Sequence, residues 1–346
     1  MKNKKMIIGI VVTLIGLGLF VRQAAQQEDW GAIGRAFLQA RYWLLIPSLI
    51  VLFSSLLFRA YRWRVFLHGH GEYGVGELFA FTSIGFMGNS IFPARAGEIM
   101  RCILLAEKKK VSFMTLLATV VVERLFDLVV VIGFFAVTLL LIPLHEGVTA
   151  ETSKLIRLSG QVAITGFLVI LVVLLAMTFK PQLVKTILSK TIGGILPAPL
   201  MGKILSLMDS LVEGLSCLRS VRQIFWSLFW SVLVWLAIGF SEYLIFIAFT
   251  DLLGLKESFF VMALIAFAVA APSTPGYLGV YDVVCQSILI GMFLVDVATA
   301  TSSTLILHAS QLFPIILLGF VCLWWQGLSF RQLRDTEKRA ELKQAD

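Results

Sequence analysis

Six apolar runs constrain this chain more than anything else: Met6–Val21, Tyr42–Phe58, Leu128–Pro143, Gln161–Phe179, Phe225–Phe249 and Val297–Trp325. A bilayer core takes roughly 20 helical residues, with flexible ends, so each run is long enough to cross. Backbone in lipid must satisfy its own hydrogen bonds, which leaves helices or closed barrels. The alternation of a barrel strand is absent, so an all-α, polytopic helical membrane protein is expected. Composition agrees: 58% of the 346 residues are hydrophobic and 14% charged, against about 25% charged in soluble domains. The net charge of +8 does not imply nucleic acid, because the basic residues flank apolar runs, where they set topology and meet anionic headgroups.

Four cysteines (102, 217, 285, 322) and four histidines (68, 70, 145, 308) lack metal-ligand spacing. No metal and no cofactor is expected. MKNKK followed by Met6–Val21 reads as an uncleaved first span, since Arg22 stands where a signal peptide would place a small residue.

Charge supplies orientation. Lys2, Lys4 and Lys5, the arginines of RAYRWR (59, 62 and 64) read as a loop after span two, Lys108–Lys110, the basic residues between 180 and 222, and Arg331–Lys343 are all expected on the cytoplasmic side, with both termini. Between RAYRWR and the lysine triplet, Glu77–Glu107 holds 31 residues, while two crossings need about 40. A re-entrant hairpin that breaks near Asn89–Pro93 satisfies both limits. A second hairpin is expected later. Phe259–Ala271 is too short to cross, APSTPGYLGVYD (271–282) interrupts it, and another apolar run reaches Val295. It must point the opposite way. Span two, hairpin one and span three then form one unit, and span five, hairpin two and span six an inverted repeat of it. Interrupted segments in matching positions of inverted halves point to a midplane site. The expected architecture is six full spans plus two oppositely oriented re-entrant helical hairpins. One transmembrane domain covers 1–330, with cytoplasmic amphipathic helices at 181–222 and a basic tail at 331–346.

Three charged groups fall within this framework. A charge at mid-span costs about 2.5–3.5 kcal/mol on insertion scales, so each needs a partner or a cavity. In PARAGEIMR, Pro93 suits the first turn of a returning half-helix, whose N-terminal amides favour an anion. Arg95 adds a fork that fits phosphate, and Glu98 and Arg101 follow at three-residue steps. The alternative is a structural clasp. In VVVERLFDLVVV, Glu123 and Asp127 share a helix face, and Arg124 can pair with Asp127. The group is either an ion-pair brace to hairpin one or a charged cavity wall. In APSTPGYLGVYD, Pro272 and Pro275 break the helix, Gly276 and Gly279 allow close backbone approach, Ser273 and Thr274 can satisfy freed backbone or touch a ligand, and Asp282 lies on the half-helix that follows. Glu242 and Asp296 are secondary candidates. Arg59, Arg62 and Arg64 either gather headgroups at the cytoplasmic mouth or simply set topology.

PARAGEIMR, VVERLFD and PSTPGYLGVYD, in this order, resemble the membrane-embedded flippase-like family related to the transmembrane region of lysylphosphatidylglycerol synthase. Family members often carry a second glycine where this chain has Tyr277, and Glu where it has Asp282, which bears on the cargo. The resemblance implies a lipid flippase without the soluble aminoacyl-transfer part, in the inner (cytoplasmic) membrane of a bacterium or archaeon. It is expected to be no enzyme. It would move an anionic phospholipid or a polyprenyl-phosphate-linked headgroup between leaflets. Arg95, Arg101 and Arg124 would hold phosphate, and Glu98, Glu123, Asp127 and Asp282 would balance or gate them. Membrane lipids are the expected partners; self-association is left open. No P-loop is present to suggest ATP as fuel. Two other readings are weighed: a membrane-embedded transferase using a polyprenyl-linked donor, and a non-transporting scaffold or sensor.

Overall fold

A computed structural model describes residues 14–22, 25, 30–93, 95–142, 161, 165–166, 169, 172, 176, 180, 182–184, 186, 220–270 and 275–336. Among them the ordered elements are helices, with no strand. They are α1 (Trp30–Gln39), α2 (Leu45–Phe66, entered through a 3-10 turn, Tyr42–Leu44), α3 (Val75–Ile91), α4 (Ala96–Lys109), α5 (Phe113–Leu141), α6 (Val221–Phe249), α7 (Leu255–Ala270), α8 (Val280–Gly291) and α9 (Val297–Trp325). A short 3-10 turn, Pro275–Tyr277, lies between α7 and α8.

Four of these elements are long and apolar enough to cross a membrane: Tyr42–Phe66, Phe113–Leu141, Val221–Phe249 and Val297–Trp325. They coincide with four of the six apolar runs. Half of Met6–Val21, most of Gln161–Phe179, and most of the amphipathic segment expected between 181 and 222 lie outside the described residues. Local chemistry marks the ends. Ser220 and Gln223 form a reciprocal capping box at the start of α6. The Asp296 carboxylate accepts the Thr299 N–H at 2.9 Å to open α9.

Two expectations need correcting. RAYRWR is not a loop: α2 runs through it to Phe66. Arg59, Arg62, Trp63 and Phe66 recur at helical spacing and are buried together, while Arg64 is exposed on the other face. The interruption after α3 also falls later than Asn89, which is still helical and buried. The Phe92 N–H closes α3 on the Gly88 carbonyl at 2.8 Å, and the break covers 92–95. Pro93 sits in that break rather than in the first turn of α4, and Arg95, just before α4, has left-handed backbone with φ 54°.

α3 and α4 then fold back on each other with their backbones touching. A Cβ added at Gly97 would run into the Gly85 carbonyl and the Asn89 backbone. Gly85 and Gly97 thus lie at the crossing, where Gly97 leaves no room for a side chain. At 17, 14, 16 and 12 residues, α3, α4, α7 and α8 are all shorter than a full span.

The helices pack around two apolar cores. One gathers Trp63, Phe66, Phe81, Met100 and Leu105; the other gathers Ile245, Phe246, Phe260, Val261 and Leu289. The helix pairings have a regularity. α2 packs on α3 as α6 packs on α7, α3 on α4 as α7 on α8, and α4 on α5 as α8 on α9. Between halves, α9 packs on α3 and α5 on α7. α2 and α6 lie side by side and antiparallel: Arg41 N–H donates to the Ala248 carbonyl, Ser48 bonds Ser241, and Arg62 bonds Ser231.

Candidate functional site

The charges of α2, α4 and α5 converge on one buried cluster. Arg62 Nη1 donates to Asp127 Oδ1 at 2.6 Å and to Ser231 Oγ at 2.8 Å. Arg59 Nη1 donates to Asp127 Oδ2 at 3.3 Å, and Trp235 Nε1 donates to Asp127 Oδ1 at 3.0 Å. Asp127 is therefore bonded from two helices besides its own. Arg101 on α4 donates to Glu123 Oε2 at 2.5 Å and lies 4.4 Å from the centre of the Trp63 ring. Glu123 and Asp127, one turn apart, both approach Arg62, Glu123 at 3.8 Å.

The cluster has a buried side and an open side. Arg59, Arg62, Arg101, Glu123 and Asp127 are all nearly inaccessible. Arg95, Glu98 and Arg124 keep 25%, 17% and 32% of their side-chain surface. There, one carboxylate serves two guanidinium groups: Glu98 Oε1 lies 3.4 Å from Arg124 and 3.9 Å from Arg95. Arg124 also pairs with Asp127 at 3.3 Å, as its three-residue spacing suggested. Arg59, Arg62, Arg95, Arg101 and Arg124 face Glu98, Glu123 and Asp127. Five positive charges against three negative leave two in excess.

The open side is where the two interrupted segments meet. Arg95 Nη2 donates to the Val269 carbonyl of α7 at 2.5 Å, and its guanidinium lies 5.9 Å from the Tyr277 ring centre. Gly276, at φ 65°, places its backbone against Leu312 and the Ser90 carbonyl. Pro275 and Gly276 thus sit beside α3, though Ser273 and Thr274 lie outside the described residues. The amide pocket expected at the start of α4 is partly filled, because the Ala96 and Glu98 N–H groups bond back to the Pro93 and Arg95 carbonyls.

Asp282 does not join the arginines. Its Oδ2 accepts the Gly279 N–H at 2.9 Å and its Oδ1 meets His308 Nδ1 at 2.7 Å. His308 Nε2 reaches the Gly276 carbonyl at 2.7 Å, and the ring stacks on Tyr281. Sequence reasoning missed Arg59 and Arg62 as cluster members, and missed His308, Trp235 and Gln311. His308 had a signal: an ionisable residue in the middle of an apolar span is a functional flag. Among the described residues, no three or more His, Cys, Asp or Glu gather as a metal set.

A curated relative, glycosyltransferase AglD of Haloferax volcanii, is 21% identical over 325 residues, covering 87% of this chain and 51% of the relative. The chain therefore spans about half the length of that protein. The expectation that the chain is no enzyme is overturned by this comparison, since the relative bears the name of a transferase. No solved structure matches. A family model described as the lysylphosphatidylglycerol synthase TM region matches residues 6–319, nearly the whole chain, and the chain belongs to that family.

Proposed function

We propose that the protein binds the phosphate-bearing headgroup of a membrane lipid, an anionic phospholipid or a polyprenyl-phosphate-linked lipid, and carries it between leaflets while the tails stay in the bilayer. The observation that carries this reading is the two-charge excess of the arginine cluster. Charge inside a membrane domain is costly unless paired, and a phosphate dianion or a diphosphate would balance the excess. Buried guanidinium donors with no hydrogen-bond partner among the described residues, Arg62 Nε and Arg101 Nε and Nη1, favour the same kind of ligand. The half-open pair Arg95 and Arg124 is the entry side.

The architecture proposed around it is an inverted repeat. α3–α4 and α7–α8 act as re-entrant hairpins that enter from opposite sides and meet at Arg95 and Tyr277. The matched helix pairings and the antiparallel α2 and α6 support it. The proposed unit is one transmembrane domain over 1–330, with a cytoplasmic basic tail and both termini on the cytoplasmic side.

The test is reconstitution in vesicles containing a headgroup-labelled anionic lipid, with an impermeant quencher outside. Wild-type protein should expose inner-leaflet label, and inserted Arg95→Ala and Arg124→Gln variants should lose that activity. Equal rates in wild type and variants would overturn the reading. A second reading, transfer from a polyprenyl-linked donor, has the name of the relative in its favour. A labelled polyprenyl-phosphate donor incubated with the same vesicles distinguishes it: loss of the donor's transferred group selects transfer, and movement of the intact donor selects translocation.

A further inference from the structure

The second half holds a counterpart of the charged cluster. A shift of 184 residues carries Ala96, which opens α4, onto Val280, which opens α8, and Phe113, which opens α5, onto Val297, which opens α9. The same shift carries Glu98 onto Asp282, Arg124 onto His308 and Asp127 onto Gln311. The contacts follow the positions. Glu98 and Arg124 meet at 3.4 Å, as Asp282 and His308 do at 2.7 Å. Arg59 of α2 meets Asp127 at 3.3 Å; Glu242 of α6, shifted by 183, meets Gln311 at 3.1 Å.

The chemistry differs. At the positions of His308, Glu242 and Gln311 the first half holds two guanidinium groups of fixed charge, Arg124 and Arg59, and the carboxylate between them, Asp127. The second fills them with an imidazole, an amide and a carboxylate, two of which exchange protons. Glu242 is buried at 2% exposure. Its Oε1 accepts the Gln311 amide, and its Oε2 has no partner among the described residues. Around it, α8 brings Tyr281, Asp282 and Cys285, with the Tyr281 hydroxyl buried and unbonded. α9 brings His308. The charges of α2 and α5, Arg59, Arg62 and Asp127, meet α6 about two to three turns away, at Ser231 and Trp235, and face one another. α7 carries Lys256 and Glu257 only at its start, where they pair, and the charged residue of α1 is Arg35. A calcium or magnesium ion takes about six or more oxygen ligands; a proton takes one.

We propose that Glu242 is a proton-binding site, and that its occupancy sets how α6 and α9 hold the two interrupted segments. Ser231, Trp235 and Glu242 lie on one face of α6 by their spacing. The helix that holds Asp127 through Trp235 thus also carries Glu242. Gln311 lies one turn beyond His308, whose two ring nitrogens bond the Asp282 carboxylate and the Gly276 carbonyl. The Gly276 carbonyl can only accept, so His308 Nε2 donates there, which leaves Nδ1 to share a proton with Asp282. A proton arriving at Glu242 binds Oε2, the oxygen without a partner among the described residues, and makes it a donor, while Oε1 can go on accepting the Gln311 amide. The new O–H needs an acceptor, and an amide oxygen that can supply one, that of Gln311, lies on α9 one turn from the residue gripping the Gly276 carbonyl. The link to headgroup movement rests on the translocation reading above; the proton site itself does not.

The experiment has two arms on the full-length protein in vesicles. The first is infrared difference spectroscopy between alkaline and mildly acid buffer. A protonated-carboxyl band is expected in wild type, absent in Glu242→Gln and shifted in Gln311→Met, which removes the hydrogen-bond partner. A band unchanged in Glu242→Gln overturns the site. Glu242→Gln keeps the shape of the side chain, and the Gln311→Met shift is an independent readout. The second arm imposes a pH gradient during the headgroup assay. Acceleration of wild type but not of Glu242→Gln is expected. Wild-type movement that ignores the gradient overturns the coupling. No movement in wild type would instead sink the translocation reading, with the infrared arm still deciding the site.

Discussion

Arg62 and Asp127 meet at 2.6 Å across two helices, with the arginine side chain wholly buried and the aspartate nearly so. Asp127 also serves Arg59 and Trp235, which makes it the electrical centre of the first half.

Asp127→Asn should therefore be strongly destabilising. Removing one partner of a buried pair costs about 3–5 kcal/mol, and here three arginines, Arg59, Arg62 and Arg124, lose a counter-charge. Thermal unfolding in detergent should show a large drop, partly recovered in the double variant Arg62→Met/Asp127→Leu. A single variant as stable as wild type would contradict the buried-pair description.

Arg124 should separate stability from binding. It is one-third exposed, and pairs of that kind are worth about 0–1 kcal/mol. Arg124→Lys should unfold near the wild-type temperature but co-purify with less anionic lipid, because lysine lacks the planar two-pronged donor set. Native mass spectrometry of bound lipid reads this out; full lipid retention in Arg124→Lys and Arg124→Gln would count against the site.

Two glycines should respond in opposite directions. Gly97→Ala forces a methyl into the Gly85 carbonyl and Asn89, and overpacking costs about 1–3 kcal/mol. Gly34→Ala in α1 meets nothing within 4 Å and should be neutral or stabilising by up to about 1 kcal/mol. Paired melting curves decide it.

Sidedness follows from exposed positions. Cysteines placed at Arg64 and Lys110 should react with an impermeant maleimide from one face of the membrane, and a cysteine at Asp251 from the other. The described native cysteines, Cys102, Cys285 and Cys322, are buried and free, so background labelling from them should be low. Labelling of positions 64 and 110 from opposite faces would refute the hairpin assignment for α3–α4.

The long helices were legible because hydropathy is a one-dimensional property: the runs 225–249 and 297–325 sit inside α6 and α9. So was the local pair Arg124–Asp127, which helical spacing alone dictates. Arg59 and Arg62 were not. Three arginines in six residues look like the end of a span, and their burial depends on Asp127, more than sixty residues away. Asp282 was placed with the arginines because its motif reads as a half-helix start, but the nearest proton-bearing partner is His308, brought up by another helix. What spacing encodes was readable; what tertiary neutralisation decides was not.

Arg95 grips the Val269 carbonyl from the far side of the junction between the two hairpins. Those segments cannot part without letting go of a guanidinium, and a freed guanidinium needs a new acceptor at once. On the translocation reading proposed above, a headgroup carrying oxygen acceptors would take that place, and entry and unlocking would be a single exchange. Such a latch would open for guests that can replace what it was holding and stay shut for those that cannot.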